Sequence, residues 1–202
     1  MIIRWNGHSC FTIQSGDYTL VIDPYTKVKG HKELNLTANS VYASHGHFDH
    51  NYFEAVRLVG HAGDEPFNVR TIPCFHDECE GAKRGNNLIH IFSAEGLNAV
   101  HLGDLGHLLS PGQAEEIGPC DVLMIPVGGY YTIDGDEAYE VCEQLKPRII
   151  IPMHYRHGEY GFDEISGTDV FLKHFPESFV KYYDEPVVEL TAETEPHVAV
   201  LG

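Results

Sequence analysis

Between residues 44 and 50 the chain reads Ser-His-Gly-His-Phe-Asp-His, and no other stretch limits so tightly what it can build. Three imidazoles and one carboxylate fall within the six positions from His45 to His50. His45 and His47, two residues apart, can point the same way from the end of an extended segment. Asp49 and His50 follow a turn and face the same cavity from another side. One tetrahedral ion cannot use all four groups and still hold further ligands and a water, whereas two ions can. The run therefore reads as the shared floor of a dinuclear site, and imidazole with carboxylate favours zinc or a similar divalent ion. A surface histidine cluster is the plainer reading of any His-rich stretch. Three His and one Asp at this spacing, after an apolar segment, argue against it.

Two complete coordination shells need more ligands, and candidates sit where β-rich runs end. His76 closes the run 69–75, Asp104 follows 97–102 between Gly103 and Gly106, and His154 follows the apolar run 148–153. Polar groups at the strand-to-loop transition are where sites on α/β scaffolds collect. Each alone would be structural; the order H-x-H-x-D-H, His, Asp, His is hard to obtain by accident.

That order resembles the metallo-β-lactamase superfamily of binuclear metal hydrolases, across nearly the whole chain. Five phrases are further similar to its small stand-alone branch of L-ascorbate-6-phosphate lactonase-like proteins: Phe75-His76-Asp77-Glu78, Arg84-Gly85-Asn86-Asn87, His101-Leu102-Gly103-Asp104, Pro126-Val127-Gly128-Gly129 and Ile151-Pro152-Met153-His154-Tyr155. The resemblance implies a first metal on His45, His47 and His76, a second on Asp49, His50 and His154, and Asp104 bridging the pair. It implies a four-layer αββα sandwich with the site at one end, between the sheets. It also implies that Asp23, in Asp23-Pro24, supports the histidine loop; from its residues alone, Asp23 is equally a turn residue before proline.

At 202 residues with 43% apolar content, the chain suits one globular domain over 1–202. No apolar run approaches the roughly 20 residues that span a bilayer, and the start lacks the pattern of a signal peptide. A cytoplasmic location is the default expectation. Five cysteines at irregular spacing do not read as a disulfide framework. Cys10, Cys120 and Cys142 read as buried thiols, while strand alternation could aim Cys74 at the site. Thirty acidic residues against 13 basic ones give a net charge of −17, a field that repels polyanions.

Short strands and hairpins are expected to about residue 25, then a loop over 26–39, a strand over 40–44 and a helix over 49–58. Further strands are expected over 67–75, 88–93, 97–102 and 121–127, with others near 180–200. Ser110-Pro111 opens a helix, with Ser as N-cap and Pro at the first helical position. A second helix over 134–145 carries Ala138, Val141, Cys142 and Leu145 on one face and stops at Lys146-Pro147.

Two divalent ions can hold a bridging water as hydroxide near neutral pH and polarise a carbonyl or phosphoryl oxygen. Asp49 is the catalytic candidate, its free carboxylate oxygen orienting the hydroxide or taking its proton. The expected enzyme is thus a metal-dependent hydrolase acting on an ester, lactone, amide or phosphoester of a small metabolite. Its expected cofactors are two divalent ions: zinc by default, with manganese or iron able to fill the same shell.

Arg84, Arg156 and His157 could meet an anionic substrate, although each arginine could equally pair with the protein's own carboxylates. Tyr130 and Tyr131 are candidates for the pocket wall. His101 and His107 are candidates to orient ligands by hydrogen bonds, and the remaining histidines, His8 among them, read as loop or surface residues. The expected partner is a small molecule; nucleic acid and membrane are not expected, and self-association stays open. Competing readings are a metal-dependent nuclease or phosphodiesterase, which the acidic balance disfavours, and a non-catalytic metal-binding sensor, which the intact ligand set disfavours. A di-iron redox protein with a flavin partner ranks last, since no flavodoxin-like extension is present.

Overall fold

Strand 122–126 is apolar throughout, and its side chains enter two cores in alternation: Val122 and Met124 one, Leu123 and Ile125 the other. Strand 149–153 repeats the division, with Ile149, Ile151 and Met153 on one side and Ile150 on the other. Strands buried on both faces demand a layer above and a layer below. The computed structural model, which describes residues 1–202, supplies both.

In chain order the elements are β1 (Ile2–Gly7), β2 (Cys10–Ser15), β3 (Tyr18–Ile22), β4 (Leu36–Ala38), β5 (Ser40–Tyr42), a 3-10 turn (Phe53–Ala55) and β6 (Val56–Leu58). Next come β7 (Asn68–Phe75), β8 (Asn86–Ala94), β9 (Leu97–His101), α1 (Pro111–Ile117), β10 (Val122–Pro126), α2 (Gly135–Leu145) and β11 (Ile149–Met153). Then follow α3 (Asp169–Leu172), a 3-10 turn (Glu177–Phe179), β12 (Val180–Tyr183), β13 (Val187–Glu189) and β14 (His197–Leu201).

One sheet has the order β13-β1-β2-β3-β5 and the other β12-β14-β11-β10-β9-β8-β7. Between them lies a core of Ile3, Phe11, Ile13, Leu20 and Ile22 against Phe92, Met124, Ile151 and Ala199. On the outer face of the larger sheet, Ile89, Ile91, Leu123 and Ile125 pack with Ile117 of α1, Val141 and Leu145 of α2 and Phe171 of α3. Two sheets packed face to face, with α1, α2 and α3 outside the larger one, form the sandwich expected from the sequence.

The outer face of the smaller sheet is covered differently. Val21 and Cys10 pack under Tyr25, Val28, Ala38 and Val56, which come from the 25–38 segment and the parallel pair β4–β6. No helix forms over 49–58. The segment leading into that stretch is tied elsewhere, with Tyr52 N–H donating to the Pro24 carbonyl and Thr26 N–H to the Phe48 carbonyl. Val56, Arg57 and Leu58 then pair with Leu36, Thr37 and Ala38, so tertiary pairing overrides the local pattern. The expected loop over 26–39 accordingly contains β4, and the expected strand over 40–44 ends at Tyr42.

Strand direction places the site. β1 and β2, then β2 and β3, are antiparallel, while β3 and β5 are parallel, so β1, β3 and β5 all end on one edge. In the larger sheet β7, β9, β10 and β11 share a direction by the same reasoning. The strand ends of both sheets meet, with Ser44 against Gly103 and His8 against His154.

Candidate metal centre

His45, His47, Asp49, His50, His76, Asp104 and His154 all arrive at this edge, and the structure brings the seven together. Asp104 Oδ2 lies 3.2 Å from His50 Nε2, 3.2 Å from His76 Nε2, 3.3 Å from His154 Nε2 and 4.0 Å from His45 Nε2. His45 Nε2 is 3.1 Å from His47 Nδ1. Three overlapping sets have every ligand atom within 4.8 Å of the others: His45, His47 and His76; His45, His50 and Asp104; and Asp49, His50 and His154 together with His8.

The residues fit divalent cations on two counts. Donor atoms around one tetrahedral ion at zinc–nitrogen bond lengths sit about 3.3 Å apart, which matches the spacing around Asp104 Oδ2. His50 Nε2 and Asp104 Oδ1 are also buried without a hydrogen-bond partner, a cost that a cation between them would remove.

For every ligand candidate with a resolved shift except His50, protonation states agree with a ligand role. His45 is pushed down to about 3, chiefly by burial, so it stays neutral with a lone pair to offer. His47 is lowered as well, again chiefly by burial. Burial pushes the Asp49 and Asp104 carboxyls up, but neighbouring histidines outweigh it and hold both below the usual carboxylate range. Burial would lower His50, yet Asp104 and Asp23 on its two sides draw a proton to it and raise it well above its ordinary value.

Behind the ligands stands Asp23. It accepts from Ser44 N–H at 2.6 Å, Ser44 Oγ at 2.7 Å and His50 Nδ1 at 2.8 Å. One carboxylate thus fixes both ends of the 44–50 run and leaves His50 Nε2 facing the cavity, and its role is support rather than a plain turn. Burial raises its carboxyl, but the His50 interactions prevail and hold it at about 2. His101 orders the same neighbourhood: its Nε2 donates to the Ser9 carbonyl at 2.9 Å and its Nδ1 accepts from Gly103 N–H at 3.1 Å. Asn87 accepts from Asp104 N–H at 3.0 Å and donates to the Leu102 carbonyl at 2.8 Å. Gly103 adopts φ +57, and a Cβ there would lie 2.3 Å from Asn87 Oδ1 and 2.5 Å from Ser44 Cβ, so the approach of the two sheets requires glycine. His107 instead accepts from Phe75 N–H at 3.2 Å, holding the end of β7.

His8 lies in the β1–β2 turn, as a loop residue should, but it is fully buried at the site: its Nε2 lies 3.3 Å from Asp49 Oδ2 and its ring is 4.3 Å from that of His154. Burial, then His154, pushes it down to about 3. The Trp5 indole donates to the His8 carbonyl at 2.8 Å, anchoring a backbone in the left-handed region at φ 51. Asp23 and His154 share that unusual conformation, at φ 52 each, and such strain gathers at functional sites. The signal for His8 was present, since it follows the end of a strand as His76 and His154 do.

A pocket of about 370 Å³ opens over the ligands, lined by His47, Asp49, His76, Asp104 and His154 with Phe48, Arg84, Tyr131 and Phe162. A larger groove of about 530 Å³ beside His107 contains none of the seven ligand candidates. Tyr131 is in the wall as expected, while Phe48 and Phe162 were not foreseen. Arg156 and His157 are exposed and do not line the pocket. Cys74 points away: its Sγ takes the Asn87 amide at 3.0 Å. Cys10, Cys120 and Cys142 are buried free thiols.

A profile of the beta-lactamase superfamily domain matches residues 2–154. A UPF0173 metal-dependent hydrolase of Thermoplasma volcanium is 26% identical over 227 aligned positions, covering 95% of this chain and 98% of the relative. A crystal structure from Thermotoga maritima, described as that of a candidate zinc-dependent hydrolase of the metallo-β-lactamase superfamily, aligns with a TM-score of 0.79. It is 34% identical and covers 99% of this chain and 97% of its own. A metallo hydrolase of Ignicoccus hospitalis shares the fold at a TM-score of 0.57 and 20% identity, over 82% of this chain and 85% of that one. The chain belongs to the metallo-β-lactamase superfamily. Within it, the relatives found carry the UPF0173 description; the narrower likeness to ascorbate-phosphate lactonases rests on the five sequence phrases alone.

Proposed function

We propose that this chain, a metal-dependent hydrolase of the metallo-β-lactamase superfamily, works as one domain over 1–202. In this reading it holds two divalent ions and cleaves an ester, lactone, amide or phosphoester of a small metabolite. The observation that carries the reading is Asp104, whose Oδ2 stands within 3.3 Å of imidazoles on both sides of the cavity. His45, His47 and His76 would hold one ion, Asp49, His50 and His154 the other, and Asp104 both. Five imidazoles among seven ligands favour zinc over manganese or iron. Ions held there would lower the pKa of water and polarise the scissile carbonyl or phosphoryl group.

The protein's own part is orientation and proton handling. Asp49 is ionised, and His8 and His50 engage its Oδ2 at 3.3 and 3.6 Å, leaving Oδ1 to hold or take a proton from the attacking water. Asp23 fixes the His50 ring through Nδ1. Phe48, Tyr131 and Phe162 give the mouth an apolar lining.

The test is metal content per chain after purification without added metal. About two ions are expected in the parent, with fewer in both Asp49→Ala and His76→Ala. A parent that carries none and cannot be loaded with zinc, manganese or iron sinks the reading.

A further inference from the structure

Asp77, the residue after His76, is 1% exposed, and its carboxylate organises a loop rather than pairing with a cation. It accepts from the backbone N–H groups of Cys79, Gly81, Lys83 and Arg84 at 2.8, 2.9, 2.9 and 2.7 Å. The loop is closed tightly as well: His76 N–H donates to the Gly85 carbonyl at 3.0 Å and Gly85 N–H to the Gly81 carbonyl at 2.9 Å.

What this rigid loop presents to the pocket is Arg84, the one Lys or Arg in the lining. Its guanidinium donates to the Tyr130 carbonyl at 2.8 Å and lies 5.7 Å from the centre of the Tyr131 ring. It pairs with no carboxylate, whereas its neighbour Lys83 takes Glu78. Most of its N–H donors are therefore left for something else. In a protein of net charge −17, an anionic ligand is repelled at long range, so local cations decide its binding, and Arg84 is the fixed one that the lining's own side chains supply.

We propose that Arg84 is the anion-binding residue of the pocket, and that the substrate carries a carboxylate or phosphate beside an apolar body that lies against Phe48, Tyr131 and Phe162. This rests on the hydrolase reading above and narrows its substrate class. Backbone and side chain of Arg84 are both held before the ligand arrives, so little ordering cost remains at binding.

The test titrates zinc-loaded parent, Arg84→Gln and Arg84→Lys with benzoate and with phenyl phosphate by calorimetry, and measures metal content and thermal midpoint of each. Arg84→Gln should lose about 10–100-fold in affinity for one or both anions, Arg84→Lys should recover part, and metal content should match the parent. The anion that loses more identifies the group recognised. The KM for mono-para-nitrophenyl succinate should rise more in Arg84→Gln than the KM for uncharged para-nitrophenyl acetate.

Parent-like anion affinity in Arg84→Gln overturns the proposal. So does a parent that binds neither anion, and so does a loss of affinity that tracks a loss of metal. Binding is read apart from metal loading: a parent that cannot be loaded with metal sinks the dinuclear reading, whereas a zinc-loaded parent whose anion affinity survives in Arg84→Gln sinks only the role of Arg84.

Discussion

A single buried imidazole against a carboxylate does most to set the geometry of Asp49. His8 is fully buried against Asp49 and the rings of His154, His50 and Phe162, so removing it frees the carboxylate to rotate. We expect His8→Ala to lower metal affinity or kcat/KM by about 10–100-fold, read by chelator competition and by steady-state kinetics on the same preparation. Parent values in both would reduce His8 to a packing residue. The run His45 to His50 was legible in the sequence because its spacing is local. His76, Asp104 and His154 were legible as polar residues at strand ends, set in order by family likeness. His8 was passed over because one histidine after Gly7 resembles a loop residue, and only the shared direction of β1, β3 and β5 brings it beneath Asp49.

Elements announced by their own ends were the easiest to read. Ser110 caps α1 and Asp134 caps α2, each with a reciprocal bond from the residue three positions on, and Lys146 ends α2 at φ 47 just before Pro147. The stretch 49–58 has no such ends, and its strand β6 exists only because β4 lies beside it. Junctions between elements carry their own constraint, most plainly at Gly103, where β9 turns into the site. Gly103→Ala adds a methyl against Asn87 and Ser44 in a left-handed conformation. It should destabilise the fold by about 1–3 kcal/mol, measured by urea unfolding. It should also weaken metal binding, because Asn87 holds the Asp104 backbone. An unchanged urea midpoint would show that the two sheets have room to part there.

Across the whole molecule, histidines kept neutral by partial or full burial make the fold acid-sensitive. Half-buried His31 is pushed down to about 4. His90, stacked on Phe92 and edged by Tyr42, is pushed down to about 4 chiefly by burial, with Asp23 opposing and His101 assisting. Both ordinarily titrate at 6.5. Below that pH the unfolded chain takes up protons that the folded chain refuses, so stability falls as pH drops through the interval down to about 4. His50, raised in the fold, already contributes fully below its ordinary value and does not offset this loss. The thermal midpoint of metal-free protein should therefore fall between about pH 7 and about pH 5, and His90→Phe should reduce the fall. A flat profile would contradict the burial seen for these rings.

The last strands join the two sheets physically. β12 and β14 belong to the larger sheet, while β13, between them in the chain, pairs with β1 in the smaller. Residues 180–201 therefore act as a clasp: the sheets cannot spread like covers of a book without peeling β13 or β14 from its neighbour. Phe48 belongs to the metal floor itself, whereas Tyr131 and Phe162 stand on segments that lie in no strand and carry no metal ligand. A fixed metal floor under replaceable rims lets a lineage exchange one substrate for another by rewriting two loops, with every metal ligand left in place.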